Sequence, residues 1–408
     1  MKPQSNENNI PKHWQVKKLG EVCQFTQGIQ VDVNKQKDTQ FEKCVRFLRI
    51  IDFTQTGEPP RYIENPGDRY LLKKGEIAMV RYGTVGFVCI GKEGAIANNL
   101  FKINHNQEID SKYLINFLQS LLFLSKLETK GATMQALSFG LIKPIQIAIP
   151  PLLEQLAIVS KIEELLSDLE NGKQQLLNAQ QQLKVYRQSL LKAAFEGKLT
   201  NVKTVECELP KHWRMSTIGD VFEVFIGSTP KRNNSNYWGG NINWLSSGEI
   251  AFCNIKSTKE KITTEGLENT SCKIHPIGTV IIAMIGEGKT RGQAAILKVA
   301  SSHNQNTAAI RVNNKIYKSE LLYYYLVLKY EDNRRVGSGN NQKALNKERV
   351  KGIPIPIPPL KEQELIVDNL ESKLTVCDKI EETIKVALLK SESLRQSILK
   401  KAFEGKLL

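Results

Sequence analysis

Ile149-Pro-Pro-Leu-Leu-Glu-Gln155 recurs as Ile357-Pro-Pro-Leu-Lys-Glu-Gln363, and this echo decides how the whole chain is read. Upstream, Ile10-Pro-Lys-His-Trp14 returns as Leu209-Pro-Lys-His-Trp213. Downstream, Arg187-Gln-Ser-Leu-Leu-Lys192 and Ala194-Phe-Glu-Gly-Lys-Leu199 return as Arg395-Gln-Ser-Ile-Leu-Lys400 and Ala402-Phe-Glu-Gly-Lys-Leu407. The offset is 199 at the start of the unit and 208 throughout its second half, so the second copy is nine residues longer within its variable part. A period near 200 is far too long for a solenoid repeat. It marks a duplicated domain.

Each copy ends in a long helix. The paired prolines favour extended backbone before them and are tolerated at a helix start. No proline follows until Phe195 in one copy and Phe403 in the other. Apolar residues then recur at heptad spacing: Val159, Ile162, Leu166, Leu169, Leu176, Leu183 and Leu190 in the first, and Val367, Leu370, Leu374, Cys377, Ile384, Leu388 and Ile398 in the second. Lys173, Gln180 and Arg187 interrupt one seam; Glu381, Ser391 and Arg395 interrupt the other. Gly197 and Gly405 stand where a C-terminal glycine stops a helix. A seam of this kind needs a partner, and the other copy supplies one. Antiparallel pairing is expected, with the mid-helix residues Lys173 and Glu381 either face to face or simply solvated.

The remaining segments are strand-rich, with apolar runs at Glu76–Val80, Phe87–Ile90, Val280–Ile285 and Ala294–Val299 separated by glycine and asparagine clusters. A shorter helix is expected near Ser111–Leu127 and near Lys318–Tyr330. Ile145–Ile149 and Ile353–Ile357 read as the strands that lead into the long helices. The fold class is therefore α+β, with two tandem α/β domains (1–150 and 201–357), each followed by a long helix (151–200 and 358–408).

The 57 Lys and Arg against 42 Asp and Glu give a net charge of +15. Residues 1–150 carry 20 basic and 14 acidic side chains, and residues 201–357 carry 22 and 13. The two helical segments are balanced, at six of each and nine of each. Two separate basic modules imply a polyanionic partner such as DNA, met twice. Seven cysteines, scattered and never in a CxxC pair, point to a reducing cytoplasm and away from disulfides or zinc. The longest apolar runs are too short to span a bilayer, so no membrane partner is expected.

No catalytic motif is expected. Ala283-Met-Ile-Gly-Glu-Gly-Lys-Thr290 resembles a phosphate loop, but it lacks that motif's first glycine, and an apolar run follows it as in strand–turn–strand. No Asn/Asp-Pro-Pro-aromatic loop cradles a flipped adenine, and no metal set is spaced for binding. The loops are instead candidates for DNA contact. Arg81, Tyr82 and Thr84, with Lys289, Thr290 and Arg291, lie on glycine-bounded hairpins that either meet phosphate and base edges or are solvated tips. Lys231, Arg232, Asn233 and Asn234, counterparts of the loop bearing Lys35 and Lys37, combine cations with amides suited to adenine. Asn341 and Lys343 form a third group. Asn98, Asn99, Asn304 and Gln305 either read bases or close turns. Trp14 and Trp213 read as packing anchors.

The doubled Pro-Pro-Leu-x-Glu-Gln, the Arg-Gln-Ser…Ala-Phe-Glu-Gly-Lys-Leu ending and the Pro-Lys-His-Trp opening resemble the specificity subunits of type I restriction–modification systems across the whole chain. Thr229-Pro230…Tyr237-Trp238-Gly-Gly240…Trp244-Leu-Ser-Ser-Gly248 adds to the likeness and brings Ser246 and Ser247 forward as contact candidates. The first domain carries Val45-Arg-Phe-Leu-Arg-Ile-Ile-Asp52 there, which makes Arg49 the counterpart candidate. The resemblance implies that each domain reads one half of a split double-stranded DNA target, with the helices setting the spacer. It implies docking of two methyltransferase subunits, joined by restriction–motor subunits. Helix pairing and docking would fall to Glu154, Gln155, Ile162, Leu169, Lys173, Leu176, Leu183, Leu190, Glu362, Gln363, Leu370, Leu374, Glu381, Ile384, Leu388 and Ile398. S-adenosylmethionine, ATP and Mg2+ would be used by the partners and none by this chain.

Overall fold

The two Pro-Pro motifs start helices where proline allows: Leu152–Phe195 and Leu360–Phe403, each 44 residues long. Gly197 and Gly405 terminate them with φ of 74° and 69°. The computed structural model describes residues 10–127, 136–200, 209–286, 288–335 and 345–408.

The chain divides into two compact units. One holds Met1–Leu177 with Lys385–Leu408; the other holds Asn178–Ile384. Each unit thus takes part of both helices, a division that the linear boundaries at 150, 200 and 357 do not follow. In the first unit Ile158, Val159 and Ile162 share a core with Ile398, Leu399, Ala402 and Phe403. In the second, Leu190, Leu191, Ala194 and Phe195 share one with Ile366 and Leu370. The start of one helix meets the end of the other each time, so the two run antiparallel. Phe403 packs on Tyr113 and Phe117 at 5.1 and 5.4 Å between ring centres, and Phe195 on Tyr325 at 5.0 Å. Along the expected seam Ile162, Leu190, Leu370, Ile384 and Ile398 are buried, while Leu169, Leu176, Leu183, Leu374 and Leu388 are half-buried.

The expected Lys173–Glu381 meeting is corrected. Glu381 accepts a hydrogen bond from Arg187 at 2.9 Å, and Asp378 accepts one from the same nitrogen at 2.7 Å. Lys173 pairs along its own helix with Glu170 at 3.6 Å. Facing the two midpoints left out the reach of the long Arg187 side chain, which takes both Asp378 and Glu381 on the other helix. The Arg187 carboxylates are well exposed, so Arg187→Ala should cost at most about 1 kcal/mol in a thermal or urea melt. A double-mutant cycle should find coupling for Arg187 with Glu381 and none for Lys173 with Glu381.

The strand-rich parts repeat one topology. In the first unit a four-stranded sheet runs in the order Cys23–Gln27, Leu100–His105, Ile77–Val80, Val88–Cys89. In the second, Glu223–Ile226, Thr307–Arg311, Val280–Ala283 and Ala294–Leu297 take the same order, with Cys253–Ile255 added at the edge. A further sheet is built on Cys44–Leu48 parallel to Gly94–Ile96, matched by Trp238–Leu245 parallel to Ser302–His303. The stretch Val280–Leu297 forms strand, turn and strand, as its sequence requires. The expected helix near Ser111–Leu127 is two, Ser111–Leu118 and Leu121–Leu127; its counterpart is Ser319–Leu328 followed by Tyr330–Arg335.

The recurring motifs clamp each unit shut. Glu154 accepts from Trp14 Nε1 at 3.0 Å and pairs with His13 at 2.8 Å; Glu362 does the same with Trp213 at 3.0 Å and His212 at 2.7 Å. Burial would raise the Glu362 carboxyl, but hydrogen bonds from Thr200, His212 and Trp213 hold it below its usual range. Trp14 and Trp213 are buried, as packing anchors should be. Gln155 and Gln363 are fully buried and bond only to main chain. Of the residues expected in helix pairing and docking, Gln155 and Gln363 instead serve the interior of their own unit, while Glu154 and Glu362 hold the His-Trp entry of theirs.

Candidate nucleic-acid interface

Sheet topology gathers the candidate loops. In the first unit Gln27 is level with Phe101, Val80 with Leu100 and Met79 with Val88. The end of one strand, the start of the next, the end of the third and the start of the fourth therefore lie on one edge. The parallel pair Phe47–Ala95 and Leu48–Ile96 delivers Arg49 and Ala97 to the same edge, where Ala97 N donates to Leu48 O at 2.9 Å. The second unit repeats this through Ile226–Ala308, Ala283–Thr307 and Leu245–His303, with Asn304 N donating to Leu245 O at 2.9 Å. Two loops cross here at van der Waals limit. A Cβ on Gly28 would lie 2.1 Å from Ala97 O, and one on Gly227 would lie 2.2 Å from both His303 O and Asn304 O.

On the first edge stand Arg49, Arg81, Tyr82, Thr84, Asn98 and Asn99. Arg81 N donates to Asn99 O at 2.9 Å, and its Nε donates to Leu137 O at 3.1 Å. Its guanidinium sits 5.4 Å from the Tyr82 ring centre and 6.0 Å from that of Phe139. Tyr82 and Thr84 are exposed at the hairpin tip. Asn98 Nδ2 donates to Gln30 Oε1 at 3.2 Å, while the buried Asn99 Oδ1 has no partner. Arg49 is held from behind: its Nε and main-chain N reach the buried Asp52 at 3.0 and 2.8 Å, and its Nη2 reaches Pro59 O. Burial would raise the Asp52 carboxyl, yet Arg49 and Arg46 hold it below its usual value.

The second edge carries different chemistry on the same frame. Ser246 occupies the place of Arg49, and its hydroxyl and N–H both donate to Glu249 at 2.9 Å, as Arg49 does to Asp52. Ser247 is half-buried beside it. Arg291 Nη2 donates to Arg334 O at 2.8 Å, and Tyr330 donates to Lys289 O at 2.7 Å, which fixes the hairpin of Lys289, Thr290 and Arg291. Gln305 is exposed and accepts from Thr229, whereas Asn304 is 7% exposed with its Oδ1 unpartnered.

Six candidates lie on the flanking loops instead. Lys37 pairs through its main chain with Tyr62, beside the second sheet, and Lys35 is exposed on the preceding turn. Lys231 and Asn233 are exposed, and Asn234 Oδ1 closes a turn by accepting from Asn236 N at 3.1 Å. Arg232 lies 4.0 Å from the Trp238 ring centre and 5.0 Å from that of Trp244, and it forks onto Glu260. The Arg232 hydrogen bonds hold the Glu260 carboxyl low. Touching phosphate would require Arg232 to release that partner. Asn341 and Lys343 lie outside the described residues. Asp52, Glu249 and Thr229 escaped sequence reasoning, although Asp52 and Glu249 each stand three residues after a repeat-equivalent position.

These edges offer cations, amide donors and acceptors, and hydroxyls on rigid strand ends, a set suited to phosphate and base-edge contacts. Among the described residues no group of His, Cys, Asp and Glu is placed to hold a metal, and no helix is long and apolar enough to cross a membrane.

The family model for the type I restriction modification DNA specificity domain matches residues 11–179 and 210–390. The EcoBI type I specificity subunit of Escherichia coli is 24% identical over 98% of this chain and 87% of its own length. The StySPI subunit of Salmonella potsdam is 27% identical over 73% of this chain and 66% of that protein, just under two thirds. The fold resembles that of a solved structure described as underlying complex assembly and conformational transition of the type I R-M system, with a TM-score of 0.78 at 20% identity over 97% of this chain and 99% of that one. It also resembles the HsdS subunit from Thermoanaerobacter tengcongensis, with a TM-score of 0.64 at 20% identity over 98% and 99%.

Proposed function

The chain belongs to the family of type I restriction–modification DNA specificity domains, and from that premise we propose that each unit reads one half of a split double-stranded DNA target. The carrying observation is the duplicated edge. One frame presents Arg49, Arg81 and Asn98 in the first unit, and Ser246 and Gln305 at the places of Arg49 and Asn98 in the second, where the place of Arg81 is taken by the buried Met284. Identical scaffolds with different side chains select different bases, so the two half-sites differ.

The protein contributes recognition and no bond-making. Methylation of adenine would belong to two methyltransferase subunits holding S-adenosylmethionine, and cleavage to restriction–motor subunits using ATP and Mg2+, in the cytoplasm where the chromosome lies. The paired helices would set the spacer and carry the partners. Exposed apolar side chains along them support docking: Leu153 is 83% exposed and Leu389 67%. The methylome of a host expressing this chain with those subunits should show one asymmetric motif in two parts with an unread gap. A continuous motif, or none, would overturn the reading.

A further inference from the structure

The second unit buries two histidines where the first has only aliphatic side chains. His275 and His303 are each 1% exposed, with Nε2 atoms 3.2 Å apart. Strand pairing makes the correspondence explicit. His275 is level with Ser301 as Leu72 is with Gly94; His303 pairs with Leu245 as Ile96 pairs with Leu48; Thr307 faces Ala283 as Leu100 faces Val80. Arg311, level with Glu223, takes the place of Asn104, level with Gln24. Leu72, Ile96 and Leu100 form an ordinary apolar core. Burying polar groups there instead is costly unless every one is paired.

The pairing admits one direction. Arg311 has no acceptor, so its Nε donates to His275 Nδ1 at 3.2 Å. The His275 proton must then sit on Nε2 and be donated to His303 Nε2. The His303 proton in turn sits on Nδ1 and is donated to Thr307 Oγ1 at 2.7 Å. That hydroxyl donates to Asn304 O at 2.9 Å. Asn304 opens the turn that carries Gln305 to the interface edge. In the first unit the matching carbonyl, Ala97 O, receives only the main-chain N–H of Leu100.

Resting on the DNA-reading function above, we propose that the buried relay Arg311–His275–His303–Thr307 is a positioning element that fixes the Asn304–Asn306 turn for base recognition by the second unit alone. A second proton on either ring converts an acceptor into a donor and breaks the relay. The facing groups reinforce neutrality. Arg311 donates from Nη2 to Ile274 O at 3.0 Å, and both it and Lys273 lie over the Phe225 ring, itself tilted against His275 with ring centres 5.3 Å apart. Burial first, then the charges of His303, Arg311 and Lys273, push His275 down to about 3; burial pushes His303 down to about 4. Any state with the relay opened has histidines of ordinary affinity, so the relay's contribution is complete above about pH 6.5 and is lost as pH falls toward those values.

The test is selection from a random duplex library by the full chain assembled with its methyltransferase subunits, at about pH 7.5 and 5.5. One variant, His275→Leu with His303→Ile and Thr307→Leu, transplants the first unit's own residues. A second, Thr307→Val, removes only the hydroxyl and guards against misfolding of the first. Both should lower discrimination at one or two positions of one half-site by about tenfold and leave the other half-site intact. Acid should blunt that same half-site in the wild type and have little further effect in the triple variant. An unchanged motif in Thr307→Val with an unchanged pH response would overturn the proposal while leaving the split-target reading intact. Absence of any two-part motif in the wild type would overturn both.

Discussion

Gly227→Ala should abolish selection of one half-site, and Gly28→Ala should abolish selection of the other. The Gly227 Cβ would stand 2.2 Å from two carbonyl oxygens and 2.5 Å from His303 Nδ1; the Gly28 Cβ would stand 2.1 and 2.4 Å from Ala97 O and Ile96 O. The carbonyl oxygens are main-chain atoms tied into parallel ladders, as Leu245–His303 and Leu48–Ile96 show, so they cannot swing aside as a flexible side chain would. The obstacle is close approach, since neither glycine is among those with positive φ. Relief requires the crossing loops to part, which moves Asn304 or Asn98 off the edge. The expected cost is about 3 kcal/mol, at the upper end for overpacking. Urea melts should register it, with the untouched unit reading its own half-site normally. Gly172→Ala is the control of opposite sign: it lies within the first long helix with nothing near its Cβ, and should stabilise by about 0.5–1 kcal/mol. Normal selectivity in both edge variants would show that the crossing plays no part in recognition.

The duplication and the helix limits were legible because each rests on local signals: repeated strings, paired prolines and a terminal glycine. Contacts between distant strings were not. Trp14 and Glu154 recur in step with Trp213 and Glu362, yet nothing in the one-dimensional pattern says that the two motifs touch. The Lys173–Glu381 pairing failed for a related reason. Heptads fix which face pairs and say nothing of how far a long side chain reaches, so Arg187 and not Lys173 meets Glu381. The candidate loops were found as glycine- and asparagine-rich segments, but Arg49 and Arg232 already serve Asp52 and Glu260, a competition only coordinates reveal. One signal was available and unused. Aligning the copies strand by strand sets His275 and His303 against Leu72 and Ile96, and a polar residue facing an aliphatic one at a core position marks a departure worth testing.

Gln363→Leu is the second large effect expected, and Gln155→Leu is its equivalent in the other unit. Gln363 Oε1 accepts from Lys318 N at 2.8 Å, and its Nε2 donates to Ile316 O at 3.0 Å and Pro358 O at 2.8 Å. Gln155 makes the same three bonds to Asp110 N, Glu108 O and Pro150 O. Each side chain thereby ties the first turn of a long helix to the approach of the shorter helix at Ser319 or Ser111. Leucine fills similar volume, so little cavity forms; what it leaves is three main-chain groups without partners. At about 1–3 kcal/mol for each unsatisfied group, and with water recovering part, the net loss should be about 3–4 kcal/mol in the mutated unit alone. Gln363→Glu separates hydrogen bonding from packing. An ionised carboxylate keeps the acceptor for Lys318 but faces two carbonyl oxygens, so the folded unit favours its protonated form. Its pKa in the folded state is therefore raised, and stability relative to wild type should be best below the ordinary glutamate value and fall as pH rises past it. A pH-independent deficit in thermal melts would mean that Gln363 acts through shape and not through its amide.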